Sequence, residues 1–252
     1  QDSNHEQYSK FLVPIFYNNT VIGVLSLESD HQLSNYHYLI RDIIKIYENC
    51  IFSLNESEQD TLTGLRNRRT FDLQLNKLLE KLDIAGNKKI TSNNNERRFL
   101  ESKTASWLVT MDIDHFKRVN DNYGHVYGDE VLLVLSQMMR KTFRDTDLLF
   151  RFGGEEFVII LTTITEDNAF LVLERFRESI ADHAFPKINQ VTISIGYALI
   201  QHNDFPITIL DKADKALYYA KENGRNQVHC YEKLVSEGKL KEEIITQEVE
   251  LF

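Results

Sequence analysis

The sequence predicts an α/β (α+β) domain, a sheet with helices packed on its faces, preceded by a hairpin and a long helix. Two observations carry this. From Ser106 onward, short runs rich in β-branched and aromatic residues alternate with stretches of helical period. Inside that alternation two strands are joined by the tight turn Gly153-Gly154, where glycine admits positive φ without steric cost. The chain has 252 residues, 42% of them hydrophobic, enough for one large domain, or one domain and a smaller module, with a sizeable core.

In chain order, residues 11–27 read as a hairpin, FLVPIFY and VIGVLSL about the turn Asn18-Asn19. A helix from about Leu33 to Leu54 follows. Its stripe Leu33, Tyr36, Ile40, Ile43, Tyr47, Cys50, Leu54 advances by alternate threes and fours, the pattern of a heptad seam. Leu39, Ile44 and Ile46 widen that face enough to cover the hairpin as well. A shorter helix carries Phe71, Leu75, Leu78, Leu79 and Leu82, and residues 83–103, with Gly86-Asn87 and three consecutive asparagines, read as a solvated loop. Then come the strand WLVTMDI, a helix over about 125–143, the strands LLFRF and EFVIIL, and a helix over about 166–183. The strand VTISIGYALI, a helix over about 208–223 and the strand QVHCY complete the alternation. Thr163 with Glu166 reads as a capping box and Gly224 as a C-cap. The domain limits expected from this are 1–59, 60–233 and a tail at 234–252.

Composition excludes several functions. A net charge of −9 argues against a nucleic-acid polymer as partner, because a polyanion needs a basic surface. Cys50 and Cys230 have neither metal-ligand nor redox spacing and read as two buried thiols of a reducing cytosol. No apolar run approaches the roughly 18 residues that span a bilayer, and no signal peptide is visible, so a cytoplasmic location is expected.

Chemistry points to two segments. The strand WLVTMDI ends in Asp112, followed by Ile113 and Asp114, and the ends of buried strands are where such sheets place ligands. Farther on stands Gly153-Gly154-Glu155-Glu156-Phe157, whose glycines leave no side chain to block a phosphate. Strand side chains alternate faces, so one glutamate is expected to face a metal shared with Asp112 and the other to approach from the rim. Carboxylates converging from two strands suit Mg²⁺, which prefers hard oxygens and keeps positions for water and phosphates.

Together these segments resemble the GGDEF family of diguanylate cyclases. The resemblance rests on DTLTGLRNR at 60–68, MDIDHFKRVND at 111–121, Gly124-His125 and Gly128-Asp129-Glu130. It continues through GGEEF at 153–157, SIGYA at 194–198 and ADKALYYAKENGRNQV at 213–228, in the family's order. It implies a fold similar to the polymerase palm and nucleotidyl cyclases, with a mostly antiparallel central sheet, and synthesis of cyclic di-GMP from two GTP. The first fifty residues, strands ending in a helix, resemble the C-terminal end of a GAF sensor domain.

Residue by residue, the family resemblance implies that Asp112, Glu155 and the main-chain carbonyl of Ile113 hold Mg²⁺, with Mn²⁺ able to substitute. Glu156 would hold a second ion or position the attacking hydroxyl, and the amides of Phe116 and Lys117 would cradle the terminal phosphates beside Gly153 and Gly154. Lys221 and Arg225 would reach the same triphosphate, while Asn120 and Asp129 would read guanine. Arg144 and Asp147, the latter six positions before Gly153, have the spacing of the family's inhibitory product site, with Arg175 as a further contact. Five strand residues of about 3.3 Å set that site some ~17 Å from the turn. The resemblance also implies a homodimer, since each domain holds one GTP. Two other functions compete: a catalytically silent domain that binds GTP or cyclic di-GMP, and a structural dimerisation module built on the heptad helix. Retention of every phosphate-binding position favours catalysis.

Overall fold

The computed structural model describes residues 9–17, 20–29, 36–91, 104–188, 190–202 and 204–241. The chain divides into two compact units, Gln1–Gln59 and Asp60–Phe252.

In the first unit β1 (Ser9–Tyr17) and β2 (Thr20–Ser29) pair antiparallel, and α1 (His37–Glu58) packs on them. Strand alternation turns Phe11, Val13 and Ile15 to one side, half-buried, and leaves Leu12 and Phe16 exposed. The Phe16 amide donates to Glu48 Oε1 at 2.8 Å, tying strand to helix. The expected heptad stripe divides here. Ile40 is buried together with Ile44, while Tyr36, Leu39, Ile43, Ile46 and Tyr47 stay exposed. Cys50 is also exposed, contrary to expectation, because it lies on that uncovered face. The turn Asn18-Asn19, Leu33 and the side chain of Leu54 lie outside the described residues.

The second unit begins with β3 (Arg66–Asn67) and α2 (Arg68–Thr91), then β4 (Ala105–Ile113), α3 (Phe116–Tyr123) and α4 (His125–Thr142). It continues with β5 (Leu148–Gly153), β6 (Glu156–Ile164), α5 (Glu166–Ala181) and β7 (Ile193–Ile200). The last elements are α6 (Pro206–Glu222), β8 (Val228–Cys230) and α7 (Tyr231–Ser236). The six strands lie in the order β3-β5-β6-β4-β7-β8. Pairing is antiparallel through β5, β6, β4 and β7 and parallel at both edges, so the expected mostly antiparallel sheet flanked by helices is present.

Period-two alternation along the central strands builds a core on each face. Val109, Met111, Phe157, Ile159 and Ile195 meet α4 and α5 through Val131, Leu135, Leu173 and Phe176. Leu108, Val158, Ile160 and Ala198 meet α2 and α6 through Phe71, Leu75, Ile209 and Ala213. All of these are buried, and at roughly 25 cal/mol per Å² of apolar area this packing is the main stabilising term.

Several local expectations need revising. Helix α2 runs on to Thr91, through the first part of the expected 83–103 loop. A glycine costs a helix only about 1 kcal/mol, and propagation past it is cheap once the buried Phe71, Leu75 and Leu79 have fixed the first turns. The cap of α5 is Thr165, whose Oγ1 accepts from the Asn168 amide at 3.3 Å; Thr163 has φ 49 and cannot serve. Helix α7 crosses the expected limit at residue 233, starting at the last residue of the expected strand QVHCY, and its Tyr231 and Leu234 are buried in the second core.

The close seat of α6 depends on Gly196. A Cβ there would fall 2.1 Å from Leu217 N and 2.3 Å from Ala213 O, so the backbone of α6 lies directly on β7. Gly196→Ala must therefore push a helix away from a sheet, and overpacking of this kind costs about 1–3 kcal/mol or more. Denaturant melts should show that loss with an unchanged m-value; a loss under about 0.5 kcal/mol would refute the close-packing role.

Candidate active site

The site forms where β4, the β5–β6 turn and the C-terminal end of α6 meet. In register, Asp112 stands opposite Glu156 across β4 and β6, so both point toward the α6 layer. The turn itself is Gly154-Glu155, one residue later than expected, with Gly153 paired to Glu156. Glu155 thus sits at the tip, outside strand alternation, and both glutamates can face the same site. Gly154 has φ 51, a conformation that suits glycine and strains other residues.

Asp112 is buried, and Lys221 Nζ reaches its Oδ2 at 2.9 Å. Burial raises the Asp112 carboxyl above the ordinary value; Lys221 lowers it, the charges of Glu156 and Asp114 raise it again, and the net is upward. Glu155 is raised in the same way, by burial first and then by Asp112. One ammonium is therefore too little positive charge for these carboxylates. A donor set of hard oxygens held apart from their preferred ionised state fits a divalent cation, which supplies that charge. Lys221, expected on the triphosphate, pairs here with the buried Asp112.

Asp114, two residues on, has a different fate. It accepts from Thr192 Oγ1 and Ser194 Oγ at 2.7 Å each and from the Asn226 amide at 3.0 Å. That carboxylate is filled by donors, so it fastens the loop after α6 to β7. Phe116 and Lys117 lie in the first turn of α3, whose amides lack intrahelical acceptors. His115, with φ 56, turns the chain into that helix. Asn120 packs directly over Gly128, where a Cβ would stand 2.0 Å from its Oδ1. This close approach of α3 and α4 sets Asn120 beside the exposed Asp129.

Residues 57–227 match the family described as diguanylate cyclase, GGDEF domain. The chain belongs to the GGDEF family of diguanylate cyclases. Diguanylate cyclase A of Treponema denticola is 34% identical over 233 residues, 86% of this chain and 58% of that protein. Diguanylate cyclase DgcM of Escherichia coli is 36% identical over 172 residues, 68% of this chain and 38% of that protein. The chain thus spans less than two thirds of these relatives' lengths. Among solved structures, the GGDEF domain of DgcB from Caulobacter crescentus, in complex with c-di-GMP, superposes with a TM-score of 0.60 at 28% identity. That likeness covers 70% of this chain and 96% of the DgcB domain.

In this GGDEF unit Arg151 does work that the sequence did not reveal. Its Nε and Nη2 donate to the Gly154 carbonyl at 3.1 and 2.8 Å, and its Nη1 donates to Asp60 Oδ1 at 2.9 Å. Asp60 also accepts from the Thr63 amide and hydroxyl. The entry motif and the GGEEF turn are therefore joined through one guanidinium. Arg151 lies two residues before Gly153, and a planar five-donor group beside a glycine turn was the available signal.

The Arg144–Asp147 segment is a closed turn. Asp147 is buried, and its carboxylate accepts from the Arg144 amide at 3.0 Å and the Thr162 amide at 3.1 Å. Asp147 therefore fixes the turn that presents the exposed Arg144, at the end of β5 away from Gly153. Arg175 is exposed on α5. Among the described residues no helix is long and apolar enough to cross a membrane.

Burial alone would raise Asp60, but bonds from Thr63 and Arg151 outweigh it and hold the carboxyl below the ordinary value. A depressed folded value contributes stability above the unfolded value, near pH 4, and loses it as pH falls through the folded value. Asp60→Asn should thus cost about 1–3 kcal/mol at pH 7 and progressively less as pH falls below the ordinary carboxylate value and through the depressed folded one. Thermal melts across that range check it; a gap independent of pH would contradict the ionic role.

Proposed function

We propose that this chain condenses two GTP into cyclic di-GMP with release of two pyrophosphates. The observation that carries this reading is the grouping of Asp112, Glu155, Glu156 and Lys221 at a glycine turn, with buried Asp112 and half-buried Glu155 both raised, by desolvation first and then by neighbouring carboxylates. Asp112, Glu155 and the Ile113 carbonyl would hold Mg²⁺, or Mn²⁺ in its place. When bound, such an ion neutralises charge developing on phosphoryl oxygens.

The protein's own groups do the rest. Lys221 and Arg225 would hold the triphosphate, with the Phe116 and Lys117 amides and the open space at Gly153 and Gly154 around it. Asn120 and Asp129 would read guanine: a carboxylate accepts from N1–H and N2–H, where adenine offers an unprotonated N1. Glu156 would position the 3′-hydroxyl that attacks the α-phosphate of the other GTP. Each P–O bond formed to a 3′-oxygen replaces one to pyrophosphate, which leaves, and the hydroxyl proton passes to solvent.

One unit holds one GTP, so the ring closes only between two chains. The exposed Tyr36 at the N-cap of α1 and Leu39, Ile43 and Ile46 along it advance by three, four and three, a heptad spacing with Tyr47 beside it, and support pairing there. The hairpin and α1 would then belong to a GAF-like sensor, and Arg144, Asp147 and Arg175 to a product site that slows the enzyme. The setting would be cytoplasmic.

Incubation with GTP and Mg²⁺, followed by chromatography of the nucleotides, tests the reading. Cyclic di-GMP should appear, ATP should be a very poor substrate, and Glu155→Gln should cut turnover at least ~100-fold with the fold intact. Substantial synthesis by a folded Glu155→Gln protein would sink the assignment. Ile43→Asn with Tyr47→Ser should lower dimer content and specific activity at low concentration, with recovery as concentration rises. Sedimentation velocity beside the assay checks this; unchanged dimerisation of the folded double variant would remove α1 from the interface.

A further inference from the structure

The loop after α6 holds two consecutive non-glycine residues in the left-handed region, Arg225 at φ 62 and Asn226 at φ 48. Such backbone persists only where its surroundings over-determine it. Two anchors are visible. One is the bond from the Asn226 amide to Asp114 Oδ2. The other comes from a different helix: Arg177 on α5 donates Nη1 to Asn226 Oδ1 at 2.8 Å. Arg177 is itself fixed, with Nε and Nη2 on Glu174 at 3.0 and 2.5 Å and its side chain only 13% exposed.

We infer that Arg177 is a positioning residue for the triphosphate, acting through Asn226 on the neighbouring Arg225. This rests on the GTP reading of the same site. A guanidinium with two of its nitrogens on Glu174 would already be well satisfied within its own helix. The third nitrogen instead spans 49 residues of sequence to the side chain of a strained loop residue. Because a planar fork locked at one end has little freedom at the other, the position of α5 sets that of Asn226. The Arg225 side chain departs from the residue just before it. The guanine-reading Asn120 and Asp129 stand on α3 and α4, which this contact does not touch.

That separation makes the proposal testable. Binding of a non-hydrolysable GTP analogue and of GMP, in Mg²⁺, should be measured on the whole chain and on Arg177→Met, which keeps the apolar stem. The expected result is a loss of about tenfold or more for the triphosphate and less than twofold for GMP. Asn226→Ala, which leaves α5 unaltered, should reproduce that selective loss, and the double variant should lose no more than either single one. Amide hydrogen exchange at Asn226, read without nucleotide, should speed up in Arg177→Met. Unchanged triphosphate affinity in both single variants, or an equal loss for both nucleotides, overturns the positioning role. If the unsubstituted chain binds neither nucleotide, the GTP reading falls and this inference with it; if it binds both and the variants show no selective loss, only the inference falls.

Discussion

The site depends first on how near α6 lies to the sheet. Gly196 on β7 stands opposite Thr110 on β4, and at this crossing the helix backbone occupies the space of a side chain. Any larger residue would lift α6 and with it Lys221, which lies a turn beyond Leu217 on the same helix. A salt bridge of 2.9 Å tolerates little such displacement. The packing of the second core and the charge pairing at the site are therefore one constraint. The buried Ala213, Ala216 and Ala220 continue the same close approach toward the C-terminal end of α6. Small side chains along that stripe let the helix carry its terminal cations to the strand ends.

Within this frame, carboxylates sort by what fills their lone pairs. Asp60, Asp114 and Asp147 each accept from backbone amides or hydroxyls and hold loops in place. Asp112 and Glu155 receive less, and desolvation first, then the charges of neighbouring carboxylates, keep them raised. A stable fold would not assemble such a pair unaided, since desolvation of two like charges opposes folding. The free energy lost there is offset by the two cores, where buried Leu, Ile, Val and Phe carry the sheet.

Much of this was legible in the sequence because it follows from periods and turn chemistry. Alternation in WLVTMDI and EFVIIL gave the central strands, and GGEEF gave the hairpin, although the turn falls one residue later because Phe152 bulges out of register. Helix α3 escaped notice: FKRVNDNY is mostly polar and buries only Phe116 and Val119. Its start is set by the left-handed His115, which no propensity announces. The two-residue β3 was invisible for a related reason, being defined by its partner β5 and not by its own composition. Arg151, Asp114 and Arg177 were missed as organising residues because their partners lie 91, 112 and 49 positions away in sequence. Composition and spacing report local physics, and these contacts are tertiary.

Under the proposed GTP reading, the two helical layers would divide the recognition of the nucleotide. Asn120 and Asp129 belong to α3 and α4, which pack on the face of the sheet holding Val109, Met111 and Phe157. Lys221 and the loop bearing Arg225 follow α6, which packs on the opposite face with Leu108 and Val158. The end of β4 and the Gly154-Glu155 turn lie between these layers. A free base would touch one layer and a free polyphosphate the other. A ligand that carries a purine at one end and a chain of phosphates at the other would engage both, with its reacting phosphorus near the strand ends between them. Strand ends in open sheets are where such ligands sit, and here the reason is specific. At these strand ends groups from opposite faces of the sheet would reach one molecule.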